Sequence, residues 1–469
     1  MCVEDLRVRN MQKNRKLAMS RQGAVAVDKH IYIYHDASAE ALLIQRGMVM
    51  FIHIVQPGDT LFSISRRYDY PLESLRLVNG LVETNIVPGQ ALLVPSYTYT
   101  VQPGDTLSAI AQKAFVTVEQ LRAANPAVDP YRMYPGMKIY IPDISWYQAI
   151  TLAYYILREP NLDRTFVRDF APYSSYIALF EYHFAPNGDI VTTRDDAAAI
   201  ETAWQNRVTP IAVVTNLTSE GFSARLASQV LNNPEARANL VENIFYLVSR
   251  KGYGGVNIDF EQVRGEDRDL FTGFLRQLRD RLKPAGYVLT IAVPAKTSEE
   301  IPWLRGYDYG GIGAVVDYMF IMAYDWHHLT SEPGPVAPIS EVRSTLQFAV
   351  ERVPRKKILL GLPLYGYDWI IPYQPGTLAE ALSNQEAVLT AMRYQSPIQY
   401  SFQYESPFFR YTDELGNIHE VWFEDVRSIG QKMKLARQFQ IAGIGAWELG
   451  LRFAPGPWLV RKFFTVRKV

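Results

Sequence analysis

GVNIDFEQV, Gly255 to Val263, sets Asn257, Asp259 and Glu261 at every second position between Val256, Ile258 and Phe260. In a β-strand, alternate side chains point to opposite faces, so the apolar three share one face and the polar three the other. A half-exposed antiparallel strand carries the same alternation, with its polar face in water. The neighbouring sequence argues against that. From Ser145 onward, the apolar runs QAITLAYY, SYIALFEY, TPIAVVT, GVNIDFE, VLTIAVP, DYMFIMAY, KILLGLPL and GIGAWEL alternate with amphipathic stretches such as SARLASQVLNNPEARANLVENIFYLVSRKG and DRDLFTGFLRQLRDRLKPAG. Runs apolar on both faces belong to parallel strands covered by helices, and eight strand–helix units make a (β/α)8 TIM barrel, an α/β fold. An open doubly wound sheet is the alternative, but no glycine-rich phosphate loop follows the first strand. In a barrel, Val256, Ile258 and Phe260 face the helices, Asn257, Asp259 and Glu261 face the interior, and Glu261 stands at the C-terminal mouth. Burying two carboxylates is costly unless they are paired, hydrogen-bonded or protonated, and the mouth is where barrel enzymes gather such groups.

Upstream lies an internal repeat. VQPGDTLFSISRRYDYPLESLRLVNG starts at Val55 and VQPGDTLSAIAQKAFVTVEQLRAANP at Val101, 46 residues later, and Asn79 and Asn125 keep that offset. Each copy closes on a similar strand, VPGQALLVP to Pro95 and YPGMKIYIP to Pro142, the second copy having gained one residue. Each reads as a strand, a Pro-Gly-Asp turn, a helix capped by Asp or Thr, a second helix, a Pro-Gly turn and a strand, that is, a βααβ unit. With their GDTL turn, central Asn and terminal PG…VP strand, the copies resemble LysM domains over 51–96 and 99–143. The resemblance implies binding of N-acetylglucosamine polymers, peptidoglycan or chitin, through Gly58, Asp59, Thr60 and Asn79 in the first copy and Gly104, Asp105, Thr106 and Asn125 in the second. The same residues also suit turns and caps without any ligand. Two weak modules on a short linker raise avidity through effective concentration.

The segment 145–469 resembles family 18 glycoside hydrolases. The family's D-x-x-D-x-D-x-E strand is filled by Gly254, Asn257, Asp259 and Glu261, with Gly254 and Asn257 departing from it at the two supporting positions. MAYD, Met322 to Asp325, and GAWE, with Trp447, extend the likeness to the sixth and eighth strands. The resemblance implies retaining hydrolysis at N-acetylglucosamine, assisted by the substrate's own acetamido group. It assigns Glu261 as general acid and then base, Asp259 to orient the acetamido group, and Tyr324 to steady it. Asn257, Met322 and Asp325 would complete the wall, Trp447 would floor the sugar site, and Tyr155 is counted among the substrate contacts. A carboxylate at position 257 would crowd Asp259 with like charge. The neutral amide removes that repulsion, so the acid limb of the pH–rate profile is expected at lower pH than in an Asn257→Asp variant.

Composition narrows the partners. Lysine plus arginine and aspartate plus glutamate both number 48, leaving no bulk basic field for nucleic acid, and no run of about twenty apolar residues suggests a membrane span. The single cysteine, Cys2, excludes an internal disulfide and cysteine-rich metal sites. His327 and His328 lie side by side without an evident third ligand, so neither metal nor cofactor is expected, and the chain is expected to be a monomer. Residues 1–50 lack the continuous apolar core of a secretory signal; Met48 or Met50 is the expected natural start, the preceding residues being an extension. Residues 367–421 read as a small α+β insertion on one wall of the cleft, with Tyr404, Phe408 and Trp422 serving either further sugars or their own core. Paired LysM-like copies, NIDFE and the absent signal resemble the spore cortex-lytic and spore-surface glycosidases of endospore-forming bacteria, which places the chain at the spore cortex or coat, or alternatively the cell wall. A chitinase and a non-catalytic glycan-binding protein are the competing functions; retention of Glu261 favours catalysis.

Overall fold

The computed structural model describes residues 49–144, 147–192 and 194–469. The expected N-terminal extension, apart from its last two residues, lies outside them.

Eight parallel strands close into a barrel: β1 (Tyr147–Ile156), β2 (Tyr176–Phe184), β3 (Thr209–Thr215), β4 (Gly255–Asp259), β5 (Val288–Pro294), β6 (Tyr318–Met322), β7 (Ile358–Pro363) and β8 (Gly443–Trp447). They pair in sequence order, and β8 returns to β1. Each of the eight apolar runs supplies one strand. The interior is filled rather than hollow: the Phe320 ring from β6 lies where a Cβ on Gly361 or Gly445 would come within 2.8 or 2.4 Å of it, so β7 and β8 carry glycine there. Outside, Phe260 sits between Phe271 and Phe274 of the helix Arg268–Leu282, at 5.6 Å from each ring, while Val256 and Ile258 are buried on the same face. The polar three of GVNIDFE consequently face inward.

After β7 the chain builds a five-stranded antiparallel sheet in the order Glu380–Ser383, Tyr365–Ile371, Ile418–Trp422, Ser406–Thr412, Gln399–Ser401, with the helix Asn384–Arg393 beside it. The first LysM-like copy pairs Phe51–Ile54 with Ala91–Val94 around the helices Leu61–Tyr68 and Leu72–Val78. The second pairs Thr98–Thr100 with Lys138–Tyr140 around Leu107–Lys113 and Val118–Ala124. They are not beads on a flexible linker. Tyr99 of the second copy packs on Phe51 and Tyr68 of the first, at 4.9 and 5.8 Å between rings, within one shared hydrophobic core.

Candidate active site

The β4 side chains determine the site from the bottom of the barrel upward. Asn257 is wholly buried: its Oδ1 accepts from the Tyr154 hydroxyl of β1 at 2.9 Å, and its Nδ2 donates to Thr290 Oγ1 of β5 at 2.8 Å. One amide therefore braces opposite sides of the barrel with both of its polar atoms in use, as a buried polar group requires. Above it come Asp259 and, two residues beyond the strand end, Glu261, both buried. Asn216, immediately after β3, clamps the Glu261 peptide at two points: Oδ1 accepts from Glu261 N at 2.9 Å and Nδ2 donates to Glu261 O at 2.8 Å. The Tyr307 hydroxyl donates to Phe260 O at 2.9 Å, so the backbone carrying Glu261 is held from both flanks. Gln262 follows at φ 58°, an uncommon conformation for a residue with a side chain, supported by these bonds.

Four ionisable groups share this mouth. Burial drives the Tyr154 hydroxyl well above its ordinary range, and the nearby Asp259, Tyr324 and Glu261 charges push it further, opposed by the bond to Asn257. Tyr154 is therefore a fixed proton donor at neutral pH, and Asp259, Glu261 and Tyr324 all lie within its electrostatic reach. Tyr324 is buried, edge-on to Tyr365 with ring centroids 6.1 Å apart. Asp325, at φ 64°, accepts on Oδ1 from the Tyr365 and Tyr367 hydroxyls at 2.6 and 2.9 Å, which ties the sixth strand's end to the first strand of the insertion. Trp447 lies half-buried against Tyr154 and Phe180, at 5.5 and 5.1 Å, and Met322 is half-buried at the end of β6.

Tyr155 requires a correction. Its hydroxyl donates to Asp163 Oδ1 at 2.7 Å and its ring stacks on Phe166, so it belongs to the helical layer; the barrel side of β1 is taken by its neighbour Tyr154. The first position of the family strand is also explained here. A Cβ on Gly254 would lie 2.2 Å from Thr209 Cγ2, leaving no room for a side chain unless Thr209 moves. Tyr404 and Phe408 each pack on Trp422, Phe408 stacked on it at 4.5 Å, with Trp422 Nε1 donating to Glu420; Trp422 is buried in the main core and the other two are half-buried against it. His327 is bound to Glu332 O and His328 to Thr330; no group of three metal-ligating side chains gathers among the described residues.

Sequence reasoning missed Asn216, Tyr154 and a further pair. Glu181 and His183, two apart on β2, bond at 3.1 Å, while Tyr182 between them reaches Asp196 in the helical layer. In the strand register His183 stands level with Thr215, and Thr215 with Asp259, while Glu181 falls at the register shift between Leu179 and Tyr182. The signal was available: a carboxylate inside the apolar run SYIALFEY is the same anomaly that exposed GVNIDFE.

In the LysM-like copies, the residues expected to bind glycan hold the modules together. Asp59 accepts from Gln56 N, His53 and Arg67; Asp105 accepts from Gln102 N, Tyr99 and Lys113. The helix caps are Thr60 and Thr106 rather than the aspartates, and Gly58 and Gly104 occupy positive φ. Asn79 and Asn125 bridge the second helix to the last strand.

Residues 187–451 match the profile of Glycosyl hydrolases family 18, and residues 53–95 and 99–142 each match the LysM domain. The chain belongs to glycosyl hydrolase family 18. Over 420 residues it is 69% identical to a protein of Bacillus subtilis (strain 168) provisionally named the sporulation-specific glycosylase YdhD, covering 90% of this chain and 100% of that one. It is 36% identical over 429 residues to the cortical fragment-lytic enzyme of Bacillus anthracis, covering 88% and 98%. Among solved structures, the Bacillus cereus spore cortex-lytic enzyme SleL superposes with a TM-score of 0.82 at 33% identity, covering 90% of this chain and 99% of that one. This family 18 chain is accordingly a glycoside hydrolase that carries two LysM domains ahead of its barrel.

Proposed function

We propose that this glycoside hydrolase is an N-acetylglucosaminidase of spore-cortex peptidoglycan, cleaving β-1,4 bonds at N-acetylglucosamine with retention. The observation that carries the reading is the gathering of Asp259, Glu261 and Tyr324 around the buried Tyr154–Asn257 pair at the barrel mouth. Glu261 protonates the leaving oxygen and then, as base, activates the water that opens the oxazolinium intermediate. Asp259 takes the acetamido N–H, aims its carbonyl oxygen at the anomeric carbon and balances the positive charge that develops. Tyr324 steadies the acetamido group and Trp447 offers a flat apolar surface to the sugar. The cortical fragment-lytic names of the relatives and the LysM pair support cortex as the polymer and the spore as the place of action.

The test is mass spectrometry of purified spore cortex digested by the native chain and by Glu261→Gln, with colloidal chitin in parallel. Reducing-end N-acetylglucosamine products are expected from cortex, with a loss on the order of a hundredfold or more in the variant. Release from chitin alone makes the chain a chitinase. Product from neither polymer, with binding intact, makes it a glycan-binding protein.

A further inference from the structure

The internal repeat allows the two LysM domains to be compared position by position. Asn79 accepts from Leu93 N at 2.7 Å and donates to Leu93 O at 2.9 Å; Asn125 makes the same clamp on Tyr140, at 2.8 and 2.7 Å. Leu93 and Tyr140 are thus structural equivalents, and VPG at 87–89 corresponds to YPG at 134–136.

In the first copy this face is covered by the catalytic domain. Leu93 is 0% exposed within the barrel's core cluster, and Val87 is 5% exposed, packed with Ile398, Phe409 and Val421 of the insertion. Ile398 N donates to Pro88 O at 2.9 Å, Gln385 donates to Gly80 O, and Arg427 donates to Gly89 O at 3.3 Å. The fit depends on small residues: a Cβ on Gly89 would lie 1.8 Å from Ile398 O, and one on Gly80 would lie 3.0 Å from Ala454 Cβ.

In the second copy the same face is open and differently built. Tyr134 replaces Val87 and is 61% exposed; Tyr140 replaces Leu93 and is 47% exposed; a Cβ on Gly136, the counterpart of Gly89, would meet nothing within 4 Å. Pro126 stands where the first copy has Gly80, and Tyr131 on the same loop is almost fully exposed.

We infer that the two LysM domains have divided their labour: the first mounts the pair rigidly on the barrel, and the second reads the N-acetylglucosamine polymer through Tyr134 and Tyr140. This rests on the glycan substrate proposed above. Tyrosine suits the task because its ring covers the apolar face of a pyranose while its hydroxyl stays hydrated, whereas buried Val and Leu suit a permanent protein contact. A second barrel does not fit the open face, since two tyrosines and a proline stand where the socket accepts valine, leucine and glycine. Because the first copy is fixed, the reading face keeps a set distance from the catalytic mouth, as a flexible tether would not.

Co-sedimentation of the full chain with insoluble chitin and with cortex, in a Glu261→Gln background so that nothing is digested, tests this. Tyr134→Ala with Tyr140→Ala is expected to weaken retention about tenfold or more. Val82→Ala with Thr84→Ala, at the exposed loop tip of the first copy, is expected to leave retention unchanged. Equal losses in both variants, a loss only in the second, or no retention of the parent chain overturns the inference. So does a concentration-dependent dimer that the tyrosine variant abolishes, which would assign the face to a second copy of the chain. Melting curves of both variants identify any loss due to misfolding; their substituted side chains are exposed, so unchanged curves are expected. Product release by the chain with native Glu261 is scored separately: if it fails while the sedimentation pattern holds, only the hydrolase reading falls.

Discussion

Asn257 shows how one atom type sets the chemistry of the mouth. Its amide accepts from Tyr154 and donates to Thr290, so a neutral side chain satisfies both neighbours below Asp259 and Glu261. Asn257→Asp would put a third carboxylate into the same buried space, and like charge there favours protonation. The expected outcome is an acid limb of the pH–rate profile displaced to higher pH, read from kcat/KM on cortex fragments between acid and neutral pH. An unchanged profile refutes the electrostatic role of the amide. At the same scale, the choice between Tyr154 and Tyr155 was not legible. Both lie in an apolar run, each finds a buried hydrogen-bond partner, and period-two alternation says only that they oppose one another.

At the scale of elements, the LysM turn carries a pH-dependent contribution. His53 Nδ1 meets the Tyr68 hydroxyl and its Nε2 meets Asp59, each at 2.9 Å, on a strand that is almost completely buried. Burial lowers its pKa from 6.5 to about 4, outweighing the attraction of Asp59. Because the folded value lies below the unfolded one, the stabilisation is present above about 6.5, is lost as pH falls toward about 4 and is then constant. The sum is on the order of 3 kcal/mol for the module. Hydrogen-exchange protection of the segment 51–68 is expected to fall across that window, and His53→Gln to flatten the dependence; constant protection in the native chain would contradict it. The element boundaries themselves were well foreshadowed by apolar runs and Pro-Gly turns. The jobs of Asp59 and Asn79 were not, because a cap, a clamp and a sugar ligand call for the same short polar side chains.

For the whole molecule, the consequence is that three cores of different origin meet. Val87 of the first LysM domain joins the insertion's core, Met50, Ile52 and Leu93 join the barrel's, and Phe115 of the second domain meets Phe463 at 5.1 Å. Gly89→Val, forcing a side chain into the Ile398 carbonyl, is expected to undock the LysM pair. Calorimetry should then resolve two unfolding transitions where the native chain shows one, since cooperativity across domains depends on the interface. A single transition in both would show that the pair and the barrel are coupled elsewhere.

The amino-acid sequence by itself determined the (β/α)8 order, the repeat, the inward Asn257–Asp259–Glu261 row and the family 18 chemistry they suggest. The strand order, the repeat and the row follow from local periodicity and spacing, which a linear chain displays directly, while the chemistry is what the resemblance to family 18 implies. Only the tertiary structure decided that Asn216 and Tyr307 hold the backbone at Phe260 and Glu261, that Tyr154 rather than Tyr155 enters the barrel, and that one LysM face is buried while its twin is open. Those outcomes depend on which surfaces meet across tens to hundreds of residues, and no period along the chain encodes that meeting.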